Sequence, residues 1–125
     1  MGVYKADALR KSVQELCSSI KGVESAVLET YDGLVLASSL PTGPEEEIIA
    51  AVSSATQSAV NRAVKELKHG DIQNTVILSS SGQMVLTDIG GRALLVIVAR
   101  RDANLGLISV LSRRAARHIM EVLPT

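Results

Sequence analysis

Few residues of this chain have types and spacings that could do chemistry. His69 and His118 lie far apart, and neither belongs to a pair with metal-ligand spacing. Each reads as a surface or boundary residue of a helix. Cys17 is the only cysteine, and no histidine stands near it in sequence to activate it, so it reads as a small core residue. Gly82 and Gly90-Gly91 lack the Lys-Ser/Thr that completes a phosphate-cradling loop. Asn104-Leu105-Gly106 opens a helix and could in principle receive an anion, but a glycine there more often permits close packing or shapes the helix entry. Ser79-Ser80-Ser81 is a turn without the strand-to-helix setting of a nucleophile elbow. Glu45-Glu46-Glu47 falls in the first turn of a helix, where carboxylates complement the helix dipole. No set of these residues makes a catalytic or metal constellation, and the expectation is a protein that is not an enzyme and carries no cofactor.

Composition narrows the classes further. The chain has 125 residues, suited to one domain spanning 1–125. A domain of this size buries roughly two-thirds of its unfolded surface and needs no staples. Hydrophobic residues make up 46% of it, and they are almost all aliphatic: Phe and Trp are absent, and the tyrosines are Tyr4 and Tyr31. Stacking platforms for single-stranded nucleic acid are thereby disfavoured. Thirteen basic and 13 acidic residues cancel, so no broad footprint for nucleic acid is expected, although a local basic patch near the C-terminus is compatible with the pattern. A single cysteine gives no reason to infer an oxidising compartment. No signal-peptide core appears, and no apolar run approaches the roughly 20 residues of a membrane helix. The simple inference is a cytoplasmic protein without membrane insertion.

The elements that must position any site centre on Pro44 to His69, PEEEIIAAVSSATQSAVNRAVKELKH. Thr42 or Gly43 can cap this helix, Pro44 suits its first position, and Gly70 reads as a left-handed cap at its far end. At roughly 100° per residue, Ile48, Ile49, Val52, Ala59, Val60, Ala63, Val64 and Leu67 share one broad face, which is expected to lie on a sheet or on other helices. Beside it runs a stripe of small residues ending in an arginine, Ala51, Ala55, Ser58 and Arg62, which would let a second helix approach closely.

A first helix is predicted from about Lys5 to Ile20 by the spacing of Leu9, Val13, Leu16 and Ile20, with Gly22 ending it. Strands are predicted over Glu24 to Tyr31 and Leu34 to Ser39, around a Tyr31-Asp32-Gly33 hairpin tip. After Gly70 come strands over Ile72 to Ser79, Gln83 to Ile89 and Ala93 to Ala99. The last, ALLVIVA, is apolar throughout and should be central and buried on both faces. Asp102 or Asn104 caps a final helix reaching about Leu123, with Leu105, Ile108, Leu111, Ala115, Ile119 and Val122 inward, and Pro124 closes it. The fold class is α+β: a five-stranded antiparallel sheet, with the long helix on one face and the two terminal helices on the other.

This order of elements resembles the Roadblock (dynein light chain) domain, prokaryotic type, found beside Ras-like GTPases. The stretches that carry the likeness are Lys21-Gly22-Val23, Tyr31-Asp32-Gly33-Leu34-Val35-Leu36-Ala37, the Glu-rich start and Ala/Ser-rich body of the long helix, Asp88-Ile89-Gly90, Ala93 to Val98, and Asp102 to Ile108. They cover nearly all of the chain, from about Leu9 to Leu123. The resemblance implies a Roadblock/longin/profilin-like sheet of order 2-1-5-4-3. It also implies a non-catalytic homodimer, or a heterodimer with a paralogous Roadblock subunit, in which long helices pack together and the third strands pair edge to edge.

The dimer interface expected on that basis combines Ala51, Ala55, Ser58 and Arg62 with Ile72, Thr75, Val76, Ile77 and Leu78. The resemblance further implies a platform for a small Ras-like GTPase, expected at Glu47, Ser54, Gln57, Asn61 and Lys65, through which GTP hydrolysis or nucleotide state is modulated. A dimerisation scaffold for a signalling or cytoskeletal complex without a GTPase is the alternative. A small-molecule sensor would need interior polar groups, of which the sequence offers few.

Overall fold

The structure, a computed structural model, describes residues 3–41 and 43–123. Helix α1 (Val3–Ser19) is followed by the hairpin β1 (Val23–Thr30) and β2 (Val35–Ser38). The long helix α2 (Pro44–Glu66) comes next, then β3 (Asn74–Leu78), β4 (Gly82–Ile89), β5 (Ala93–Arg100) and α3 (Leu105–Val122). All strand pairs are antiparallel, in the order β2-β1-β5-β4-β3. The expected fold class and strand order are therefore found, with element ends shifted by a few residues. The expected capping residue Thr42 and the expected terminator Pro124 lie outside the described residues.

Local chemistry accounts for the joints. Gly33 takes a φ of 87° at the β1–β2 tip, where its N–H donates to Thr30 O at 3.0 Å. A side chain there would press on Ser54 Oγ at 3.1 Å, so α2 runs directly over this turn. Asn104 caps α3 by accepting from the Leu107 N–H at 3.0 Å. β5 sits between β1 and β4 and is buried on both faces, as an uninterrupted apolar strand must be.

The two faces of the sheet differ. Leu28, Val85, Ile89, Leu95 and Ile97 pack under α1 and α3, with Leu9, Val13, Ile108 and Ile119 of those helices completing the main core. The inward stripe of α3 is centred on Ile108, Ser112, Ala116 and Ile119, with Leu105, Leu111, Ala115 and Val122 flanking it, half-buried. The other face holds a smaller cluster, Val27, Leu86, Leu94 and Val96, partly roofed by Ile49 of α2.

Helix α2 does not sit as its apolar pattern suggests. Its buried residues are Glu46, Ala50, Ser53 and Gln57, while Ile48, Val52 and Leu67 are exposed at 62%, 54% and 63%. Of the face expected to lie on the sheet, only Ile49, Val60 and Val64 are half-buried. The reason is beneath the helix: the sheet there offers Glu29 and Thr75, which need hydrogen bonds, and the Gly33 turn, which needs small neighbours. Serine, glutamine and alanine meet those needs, and isoleucine and valine turn outward.

The C-terminus of α2 also differs from expectation. The left-handed residue that ends it is Lys68, at φ 56°, two positions before Gly70. The His69 N–H donates to Val64 O and the Lys68 N–H to Lys65 O, both at 3.1 Å, a Schellman arrangement around a lysine. Left-handed backbone costs a non-glycine residue roughly 1–2 kcal/mol, partly offset because glycine is freer when unfolded. Lys68→Gly is therefore expected to raise stability by up to about 1 kcal/mol in urea unfolding. A loss of stability would remove this account of the helix end.

Candidate interaction surface

The seat of α2 is polar and fully engaged at its far half. Thr75 Oγ1 on β3 donates to Gln57 Oε1 at 3.0 Å, and Gln57 Nε2 donates to Asn61 Oδ1 at 3.3 Å. Asn61 in turn hydrogen-bonds the Tyr31 hydroxyl, which donates to Asp88 of β4. Asp88 also accepts from the Gly91 N–H at 3.1 Å. Burial, the bond to Asp88 and its negative charge all push the Tyr31 phenol well above its ordinary value. This chain of donors ties α2 to β1, β3 and the β4–β5 turn.

At the near half the seat is less comfortable. Glu29 on β1 is fully buried, and its Oε2 has no hydrogen-bond partner. Its Oε1 lies 2.5 Å from Ser53 Oγ, which is itself 2.6 Å from Ile49 O. The Ser53 hydroxyl donates to Glu29 Oε1 and lies within reach of the Ile49 carbonyl as well, so one hydroxyl proton is shared between two acceptors and Oε2 is left with none. β1, β2 and α2 from Pro44 to Asn61 carry no Lys or Arg that could act as counter-ion. Burial raises the Glu29 carboxyl to about 7, and the Ser53 hydrogen bond only partly opposes this.

The outer side of α2 is the reverse. Ile48, Val52, Ala55 and Ala59 form an exposed apolar and small-residue strip, with Ala51 and Ser58 on one flank. β3 pairs only with β4, so its far edge is open, and Val76, Ile77 and Leu78 are exposed along it. Unpaired strand edges bearing apolar residues associate unless covered. An apolar helix strip and an open apolar strand edge thus lie uncovered in one chain. A groove of about 630 Å³, lined among others by Tyr31, Asn61, Lys65, Asp71 and Asp88, opens near the end of α2.

The sequence-derived site residues divide. Ala51, Ala55, Ser58 and Arg62 are all exposed on α2, and Val76, Ile77 and Leu78 are exposed on β3. Ile72 is half-buried before β3, and Thr75 is half-buried with its hydroxyl spent on Gln57. Among the residues expected to meet a partner, Glu47 and Lys65 are exposed, and Ser54 and Asn61 are half-buried. Gln57 corrects the expectation: it is fully buried, because its amide fills the gap between α2 and Thr75. Glu29 and Ser53 were not singled out from sequence. The available signal was a glutamate that directly follows the apolar run Ala26-Val27-Leu28 in β1. Among the described residues, no group of three or more His, Cys, Asp or Glu converges on a possible metal position.

Comparison with known proteins adds the family. The model of the Roadblock/LC7 domain matches residues 9–99. The chain belongs to the Roadblock/LC7 family. The uncharacterized protein MJ1340 of Methanocaldococcus jannaschii is 33% identical over 99 residues, covering 79% of this chain and 86% of that protein. Among solved structures, the Roadblock/LC7 domain from Streptomyces avermitilis superposes with a TM-score of 0.87 at 22% identity, covering 93% of this chain and 98% of that one. The gliding protein MglB from Thermus thermophilus superposes at 0.84 with 21% identity, covering 98% and 92%. At these identities the likeness to the solved structures is one of fold. No helix among the described residues of this Roadblock/LC7 domain is long and apolar enough to cross a membrane.

Proposed function

We propose that this Roadblock/LC7 chain is a dimeric, non-catalytic regulatory module for a small Ras-like GTPase. The observation that carries the reading is the outward apolar strip of α2 together with the open edge of β3. The two α2 helices pack antiparallel across a two-fold axis near Ala55 and Ser58, and β3 pairs with its symmetry mate. Arg62 then reaches toward Glu47 or Glu45 of the other chain; exposed pairs of this kind contribute about 0–1 kcal/mol, so it orients the helices more than it holds them. Self-association is supported by likeness to a structure described as MglB with tetrameric arrangement, TM-score 0.85 at 22% identity. The GTPase is the partner that family membership implies, and Glu47, Ser54, Asn61 and Lys65 border its proposed platform.

Two measurements test this. Ala55→Trp should abolish or strongly weaken the dimer in sedimentation equilibrium while circular dichroism stays native, since overpacking costs about 1–3 kcal/mol per site and the two-fold applies it twice. A monomeric wild type at micromolar concentration would remove the interface. Pull-down with the small GTPases of the source organism, in GDP and GTP-analogue forms, followed by turnover assays, tests the partner. A dimer that binds none of them in either state would instead be the scaffold without a GTPase.

A further inference from the structure

The neutral net charge hides a strong asymmetry. Segments 3–22 and 100–123, which form α1, α3 and the turns at their sheet ends, carry nine of the 13 basic residues but four of the 13 acidic ones. The remaining segment, with α2 and most of the sheet, carries the other four basic and nine acidic residues. The basic excess therefore lies in the α1/α3 layer, and the acidic excess in the rest of the chain. Within the basic layer, Arg10 and Lys11 are paired to Asp7 and Glu15, and Arg100 to Asp102. Arg113, Arg114 and Arg117 of α3 enter none of the salt bridges among the described residues, although Glu121 lies one turn beyond Arg117. Arg113 Nη1 lies 3.1 Å from the neutral side-chain amide of Asn74, whose oxygen accepts from it once the amide is oriented to suit all its neighbours.

Three apolar side chains share this outer side of α3. Leu107, Val110 and Met120 are exposed at 41%, 47% and 42%. At about 100° per residue, Val110, Arg113 and Arg117 fall on one outward stripe, with Leu107 and Arg114 on its shoulder, while the thioether end of Met120 turns aside onto the Gly90 turn. Cations interleaved with aliphatic side chains on a convex helix match an anionic lipid surface, where arginines meet headgroups and aliphatic groups reach the acyl boundary. Nucleic acid fits less well, because it offers no apolar layer and this face has no aromatic side chain to stack on bases.

We infer that the α1/α3 face docks peripherally on anionic membranes through Arg113, Arg114 and Arg117, with Val110 seated among the headgroups. One chain suffices for the contact. Where the proposed dimer forms, a two-fold axis relating antiparallel β3 strands stands perpendicular to the sheet, so both basic faces lie on the same side and act together. The two α2 helices then face away from the membrane.

Flotation with vesicles of phosphatidylglycerol in phosphatidylcholine, and with pure phosphatidylcholine vesicles, tests the inference. Wild type should float with the anionic vesicles and not the neutral ones, and should be released by high salt. The triple variant Arg113→Gln, Arg114→Gln, Arg117→Gln should lose about a hundredfold in vesicle affinity while keeping its circular dichroism and oligomeric state. Val110→Ser should weaken binding with little change in its salt dependence. Absence of binding by wild type, equal binding by the triple variant, or binding to a DNA duplex in preference to vesicles would each overturn the inference. The oligomeric state, read separately by sedimentation, leaves the dimer reading standing or falling on its own.

Discussion

Urea unfolding should show this domain losing on the order of 3 kcal/mol of stability between about pH 4.5 and about pH 7.5 through Glu29 alone. The sign follows from proton uptake. The carboxyl titrates near 4.5 in the unfolded chain and at about 7 in the folded one. Between those values the folded state holds a proton that the unfolded state has released, so each rise in pH favours unfolding. Below the window both states are protonated, and above it both are ionised, so the contribution levels off at each end. Glu29→Gln keeps an acceptor for Ser53 and cannot ionise. Its profile should lack this component, and the variant should exceed wild type above about pH 7. Differencing the two profiles at one protein concentration removes the other carboxylates and any linked association. Coincident profiles would mean that Glu29 is hydrated or paired in solution, contrary to its burial between β1 and α2.

Ile97→Asp should give a chain with no cooperative unfolding transition. Ile97 is fully buried on the α1/α3 side of β5, with β1 and β4 paired on either side and the main core above it. An aspartate there meets neither water nor a basic group, and an isolated buried charge costs more than the roughly 5–15 kcal/mol that holds a domain together. Protonation would lower that cost but leave a polar group unsatisfied and a cavity beside it. Ile97→Val, which removes one methylene, should cost only about 1 kcal/mol and keep a cooperative transition. A soluble, cooperatively melting Ile97→Asp protein would show that β5 is not the centre of the sheet.

Much of this architecture can be read from residue order because the signals are local. ALLVIVA is apolar at every position and has only one place to go, the middle of a covered sheet. Gly33 and Gly90-Gly91 supply the left-handed residues that short hairpins need, and Asn104 supplies a side-chain cap. Leu9, Val13, Leu16 and Ile20 all face the main core, because α1 lies on an apolar surface and its pattern has nothing polar to answer.

The setting of α2 was decided only by the tertiary structure. Its sequence carries two helical stripes, one rich in Ile and Val and one of Ala, Ser and Gln, and burial by hydrophobicity alone picks the first. What reverses the choice is outside the helix. Glu29 and Thr75 on the sheet need hydrogen-bonding partners, which Ser53 and Gln57 supply, and the Gly33 turn tolerates only small neighbours where Ala50 and Ser54 pass. Those demands join residues 24 and 18 positions apart, so no window of helical periodicity contains them. The same rotation took Gln57 from the expected partner surface into the interior and left Ile48 and Val52 for a second chain. Composition determined that the domain could fold without staples or stacking aromatics. Three-dimensional packing determined which side of its longest helix is free to bind.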